Sequence, residues 1–249
     1  MLKQVWDPYV PTTNFGTKSN LMQYKNEFIK YASGHLGMSK FHLKTHLQKQ
    51  ATSPPQFNSF TPSVMEERQL NVIQMDVFSR LMMDRIIFLG VGIDAYVANV
   101  IQAQLLFLDS LDSKRDIQMY INSPGGSVID GLGIFDTMQY VTPDVGTICT
   151  SMAASMGAVL LSAGTKGKRV CLPHSRVMIH QPSGGMQGQV SDMEITYDLF
   201  KTLQKELYTI LSDSTGQTIE QIKIDCDRDN WMRSEEAKAY GLVDQVVGR

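Results

Sequence analysis

With 249 residues, 43% of them hydrophobic and 19% charged, the chain is long enough for one domain of about 190 residues with a full core, plus an extension. A formal net charge of −2 and a pI near 6.2 supply no field that would hold nucleic acid or a membrane surface, so neither is expected as a partner. The three cysteines, Cys149, Cys171 and Cys226, are odd in number and set in apolar runs, which predicts buried thiols in a reducing compartment and no disulfide framework.

The first eight residues, MLKQVWDP, lack the apolar centre of a signal peptide, and the longest weakly polar run, 152–164, is too short to cross a bilayer. A cytoplasmic protein is expected. Residues 1–57 hold seven Lys and no Arg, only Asp7 and Glu27 as acids, and three of the five histidines, so residues 1–62 are read as a basic leader ending in a linker. Leu21, Tyr24, Phe28 and Tyr31 recur at helical spacing, and a second helix is predicted over 39–50. His42 and His46 stand four apart, but no third ligand is near them; they are read as a solvated helix face, and neither a metal nor a cofactor is expected. Residues 52–59, with Pro54 and Pro55, break any helix and read as an extended, easily cut connection.

From Ser63 onward strands and helices alternate, which implies an α/β fold. A helix from Asp76 leads into a strand over 85–90. Asp94 can cap the next helix, whose buried stripe is predicted to be Val97, Val100, Ile101, Leu105 and Leu108. Then come a strand over 117–121, a helix carrying Leu132, Phe135, Met138 and Tyr140, and a strand from Val145. After a polar, glycine-rich segment (183–189), a long amphipathic helix is predicted over 190–211, with Met193, Ile195, Leu199, Leu203, Leu207 and Leu211 on one face and apolar surface left for another subunit. A helix over 219–224, an extended Asp-rich stretch to Met232, a helix over 234–240 and a strand over 243–247 close the chain.

Three places in this alternation carry chemistry. The apolar run 145–149 gives way to small residues, and helical spacing then begins at Met156, so Ser155 falls where a strand hands over to a helix. A serine at such a corner often serves only as an N-cap, so this feature alone decides nothing. An apolar strand, 176–180, ends on His180 and is stopped by Pro182, which puts the imidazole at a strand edge. A third apolar strand runs into Asn122-Ser123-Pro124-Gly125-Gly126-Ser127, where paired glycines let backbone N–H groups approach a ligand. Each alone has a structural reading; together they are the nucleophile, base and oxyanion loop of a serine hydrolase.

These blocks, YINSPGG (120–126), AASMGA (153–158), MIHQP (178–182) and DRD (227–229), resemble those of ClpP, the caseinolytic protease proteolytic subunit family of serine peptidases. The resemblance runs from about Ser63 to the C-terminus and implies the crotonase-like superhelix of β-β-α units for residues 63–249. One position departs from the family's pattern: Ser151 stands where the family usually has Gly. The resemblance implies catalysis by Ser155, His180 and Asp229, with the backbone N–H groups of Gly126 and Met156 as the oxyanion hole. It also implies two stacked heptameric rings, fourteen subunits in all, joined through the long helix and contacts of Arg228. A hexameric AAA+ unfoldase such as ClpX, ClpA or ClpC would feed unfolded polypeptides to it. The glycine-rich edges, at Gly125, Ser127 and Val128 and at Ser183, Gly184 and Gly185, could pair with an extended peptide.

Two expectations come from the residues alone. Residues 164–169 (GTKGKR) lack the spacing and hydroxyl of a phosphate-binding loop, so ATP hydrolysis is expected on another chain. Asp225, Asp227 and Asp229 would share one face of an extended segment, so spacing does not choose among them as the acid that orients His180; the resemblance selects Asp229. The competing readings are a crotonase-like acyl-CoA hydratase or hydrolase, against which the Ser-His-Asp set tells, and a ring subunit without activity, against which the presence of all three side chains tells.

Overall fold

The computed structural model describes residues 63–68 and 71–248, and the side chains from Met75. The two predicted leader helices, His42, His46 and the proline-rich connection lie outside the described residues. A two-stranded antiparallel ribbon, β1 (Ser63–Arg68) and β2 (Asn71–Asp76), leads into α1 (Val77–Met83), capped by the Asp76 carboxylate. Strands and helices then alternate: β3 (Ile86–Leu89), α2 (Ala95–Leu111), β4 (Ile117–Ser123), α3 (Val128–Tyr140), β5 (Val145–Ala154), α4 (Met156–Ser162), β6 (Arg169–Cys171) and β7 (Arg176–Ile179). The long α5 (Val190–Thr215), α6 (Ile219–Asp225), β8 (Asn230–Arg233), α7 (Ser234–Tyr240) and β9 (Gln245–Val246) complete the α/β architecture.

The sheet runs β3-β4-β5-β6-β9, all parallel, with β7 added to β5 and β8 antiparallel to β7. Parallel strands covered on both faces should read as apolar runs, and Ile117, Met119 and Ile121 of β4 and Cys149 of β5 are wholly buried. What positions the site is the length of β5. Its first half pairs β6 through residues 147–149, its second half pairs β7 through residues 152–154, and the register against β4 shifts between Ile121 and Ser123. Two extra residues on β5 oppose that step. Ser151 sits in this irregularity, exposed and without a positive φ, so the bend does not use the backbone freedom a glycine would bring. The bend carries the end of β5 away from β6 and onto β7, which aligns the carrier strand of Ser155 with that of His180.

Several packing expectations are corrected. On α2 the buried residues are Ala98, Ile101, Leu105 and Leu108; Val97 is partly buried and Val100 exposed. On α5, Leu203, Leu207, Tyr208 and Leu211 enter the core while Ile195 and Leu199 stay exposed, in line with the expectation that this helix keeps apolar surface outside the core. The terminal strand shrinks to Gln245–Val246. The Asp-rich stretch is a strand only from Asn230, where β8 begins: Asp225 closes α6, and Asp227 lies in the turn that follows. All three cysteines are free and buried, as expected; a hydrogen bond with Cys149 and then burial push the Cys171 thiol up, and burial pushes the Cys226 thiol to about 12, with Asp225 adding to the latter.

Candidate active site

Ser155 stands at the N-cap position of α4 with φ 55° and ψ −125°, a region that side-chain-bearing residues rarely occupy. Its amide donates to Met178 O of β7 at 2.8 Å, and this bond fixes the turn against the neighbouring strand. A capping serine would turn its hydroxyl onto the helix amides. Here Oγ makes no cap bond and lies 2.8 Å from His180 Nε2, which separates the nucleophile reading from the capping one. Gly157 is needed for packing, since a Cβ there would sit 3.0 Å from Ser123 O.

His180 follows the last residue of β7, half-buried, and its Nδ1 lies 2.9 Å from Asp229 Oδ1, one residue before β8 begins. An ionised carboxylate can only accept, so the proton sits on Nδ1 and Nε2 is left as the acceptor of the Ser155 hydroxyl. The other two acids are engaged elsewhere. Asp225 accepts from Tyr240 Oη at 2.8 Å and from Gln221 Nε2 at 2.9 Å, while the Asp227 carboxylate is 3.7 Å from Arg228 Nε. Burial and then the Asp225 carboxylate push the Tyr240 phenol up, which keeps it a donor at neutral pH.

The glycine loop is held from behind. Ser123 Oγ donates to Val91 O and accepts from the Gly125 amide, and Ile93 pairs with the loop by donating to Gly125 O and accepting from Ser127 N. The expectation that the Gly125 and Ser127 amides face a peptide is therefore corrected, because both are spent inside the protein. Ser127 Oγ, moreover, caps α3. Among the described residues the amides of Gly126, Val128 and Met156 donate to no protein group. Gly125 takes φ 90°, and a Cβ there would lie 2.7 Å from Ser155 Cβ and 2.9 Å from Met156 N, so a side chain would fill the space over these free amides.

A cleft of about 870 Å³ opens beside His180 and Asp229, walled by Ser183, Gly184 and Met186 on one side and by Tyr197, Phe200 and Gln204 of α5 on the other. Gly184 lies flat on Phe200, where a Cβ would come within 2.6 Å of the ring. Ser183, Gly184 and Gly185 are exposed, belong to no helix or strand, and make no backbone hydrogen bond among the described residues. Beneath Ser155 a small apolar cavity of about 20 Å³ is lined by Val128, Met156, Val159, Ile179, Pro182 and Leu207. Arg228 is almost fully exposed at the rim. Sequence reasoning missed Ser123 as the brace of the glycine loop and assigned no role to Gln181; a serine before Pro-Gly-Gly was the available signal for the first. No group of three or more His, Cys, Asp or Glu that could hold a metal occurs among the described residues.

A family model described as Clp protease matches residues 68–249. A curated relative from Bacteroides fragilis (strain YCH46), named ATP-dependent Clp protease proteolytic subunit, is 59% identical over 222 residues, covering 89% of this chain and 98% of the relative. One of the same name from Porphyromonas gingivalis (strain ATCC BAA-308 / W83) is 60% identical over 222 residues, with 89% and 97% covered. Those 222 residues are more than residues 63–249 contain, so the likeness extends upstream of Ser63. Identity at this level over nearly the whole of each relative, on a domain that the family model spans, decides membership: the chain belongs to the Clp protease family.

Proposed function

We propose that the protein is the proteolytic subunit of an ATP-dependent Clp protease, a serine endopeptidase that cleaves unfolded polypeptides in protein quality control and turnover. The observation that carries this reading is the continuous chain from Asp229 through His180 to Ser155, at 2.9 and 2.8 Å, beside unengaged amides at Gly126 and Met156. In the proposed reaction His180 Nε2 takes the Ser155 proton as Oγ attacks the scissile carbonyl, and Asp229 holds the imidazole in the competent tautomer and stabilises the imidazolium. The Gly126 and Met156 N–H groups receive the oxyanion. The imidazolium then protonates the leaving amine, and water, activated by the same His180, releases the acyl group. The open backbone at Ser183, Gly184 and Gly185, with the free amide of Val128, would hold the substrate as an added strand, which recognises extended chain more than sequence.

Selection of substrates then lies with the partner, an ATP-hydrolysing hexameric unfoldase of the ClpX, ClpA or ClpC kind. Among the described methionines only Met83 and Met186 are exposed, too few to make a docking surface by themselves. An apolar groove of about 340 Å³ between Phe78, Phe88, Val91, Tyr96 and Val100 is the better surface for a partner's apolar side chains. No helix among the described residues is long and apolar enough to cross a membrane, and buried free thiols suit a reducing cytoplasm. The reading is tested by giving the purified protein a short fluorogenic peptide and an unfolded protein: the peptide is cleaved without ATP, and the protein only when an unfoldase and ATP are added. Failure to cleave the peptide under any condition would remove the proposal.

Two further expectations arise here. Residues 1–62 are proposed to be a leader that the protein's own active site removes near residues 54–63. Mass spectrometry of wild type and Ser155→Ala should find the leader lost only from the first; identical ends in both would exclude self-processing. Arg228, whose guanidinium has among the described residues only a distant, exposed partner in Asp227, is proposed to contact the opposite ring. Arg228→Ala should lower activity by shifting a fourteen-subunit assembly to smaller species on a sizing column, with recovery at high protein concentration. Loss of activity with the assembly intact would assign Arg228 to another role.

A further inference from the structure

Antiparallel pairing of β7 with β8 stops at Ile179 opposite Asn230. One step further His180 and Asp229 face each other outside the ladder, joined only through their side chains. The Asp229 carboxylate is 60% exposed, and its one hydrogen bond among the described residues is to His180. A carboxylate so loosely held is placed by its backbone. On one side that backbone is anchored by Asn230 in the ladder; on the other is the turn 226–228, which no ladder holds.

Gln181 holds it instead. Its amide N–H donates to Cys226 O at 2.6 Å, and its side-chain Nε2 donates to Asp227 O at 2.9 Å. Its Oε1 accepts from Gln204 Nε2 of α5 at 3.2 Å, and the same Gln204 nitrogen reaches Tyr208 Oη at 3.2 Å. Tyr208 is buried, which keeps its phenol neutral and able to accept. The Gln181 amide thus donates to the turn and accepts from the helix at once; a carboxylate in its place would lose the donor, and a thioether would lose both bonds.

We propose that Gln181, backed by Gln204, is a positioning residue for the reaction: it braces the turn 226–228 against the strand end that carries His180 and so sets Asp229 against His180 Nδ1. This rests on the reading of Ser155, His180 and Asp229 as the catalytic set. Gln181 touches neither reacting atoms nor the imidazole in this network; its effect passes through the acid.

The test is Gln181→Met, close in length and without either hydrogen bond, made in the wild-type and Asp229→Asn backgrounds and assayed on a short fluorogenic peptide with assembly checked on a sizing column. In the wild type kcat should fall by up to about 100-fold with KM little changed, the scale expected when a reacting group is displaced by about 1 Å. In Asp229→Asn the same change should cost only about twofold or less, because the position of the acid no longer matters. Gln204→Leu should give a smaller loss of the same kind, and replaces Gln181→Met in the cycle if that variant does not assemble. Losses that multiply in both backgrounds, a raised KM at unchanged kcat, or an unchanged kcat would each overturn the proposal while peptide cleavage by the wild type still stands. A wild type that cleaves no peptide would overturn the serine peptidase reading and this inference with it.

Discussion

Ser155→Ala should abolish short-peptide hydrolysis while leaving folding and assembly intact, with a loss on the order of 10⁶ in kcat. The substitution deletes one oxygen and no methylene. That oxygen makes no cap bond to α4 and has the His180 imidazole as its partner, so nothing in the helix or the sheet is left unsatisfied. The Cβ, the φ of 55° and the amide bond to Met178 O are all retained by alanine, so the local backbone strain is the same in both proteins. Peptide hydrolysis measured on the assembled variant decides the matter, and substantial remaining activity would remove Ser155 as nucleophile.

Asp229→Asn should assemble normally and lose up to about 10⁴ in kcat. An amide can present its NH₂ to Nδ1, which favours the tautomer with the proton on Nε2, and it carries no charge to stabilise the imidazolium. Stability should change little, since the carboxylate is mostly exposed and makes a single bond. The neighbouring acids are the controls. Asp225→Asn alters a contact that ties α6 to Tyr240 of α7, and its effect should appear in stability ahead of kcat. Asp227→Asn should leave peptide hydrolysis near wild type, because it is the Asp227 carbonyl that Gln181 uses. A severe, assembly-competent loss in either control, with Asp229→Asn near wild type, would withdraw Asp229 as the orienting acid.

These roles were not equally readable in the sequence. The corner at Ser155 was legible because a β-branched run followed by small residues and then helical spacing describes a strand meeting a helix at that residue. His180 was legible because Pro182 stops its strand. The three acids were not, since alternation places them on one face only if the segment is extended; instead α6, capped by Thr218, runs through Asp225, and a turn follows. Apolar spacing on α2 located a face without telling which of its positions meet the core, which is why Val100 was misplaced. A serine before Pro-Gly-Gly hinted at a brace for the loop, but the partners of Ser123 and Gln181 are backbone carbonyls far along the chain, Val91 O and Asp227 O, and no local pattern names such partners. The internal use of the Gly125 and Ser127 amides was hidden for the same reason.

The most direct measurement is covalent labelling of the purified protein with a fluorophosphonate, followed by peptide mapping in a mass spectrometer. A serine whose hydroxyl is activated by His180 and whose adduct is stabilised by the Gly126 and Met156 amides should react at Ser155 alone, and His180→Ala should abolish the reaction. Labelling at another residue, labelling that persists without His180, or a wild-type protein that takes up no reagent would contradict the assignment of Ser155, His180 and Asp229 as a catalytic set.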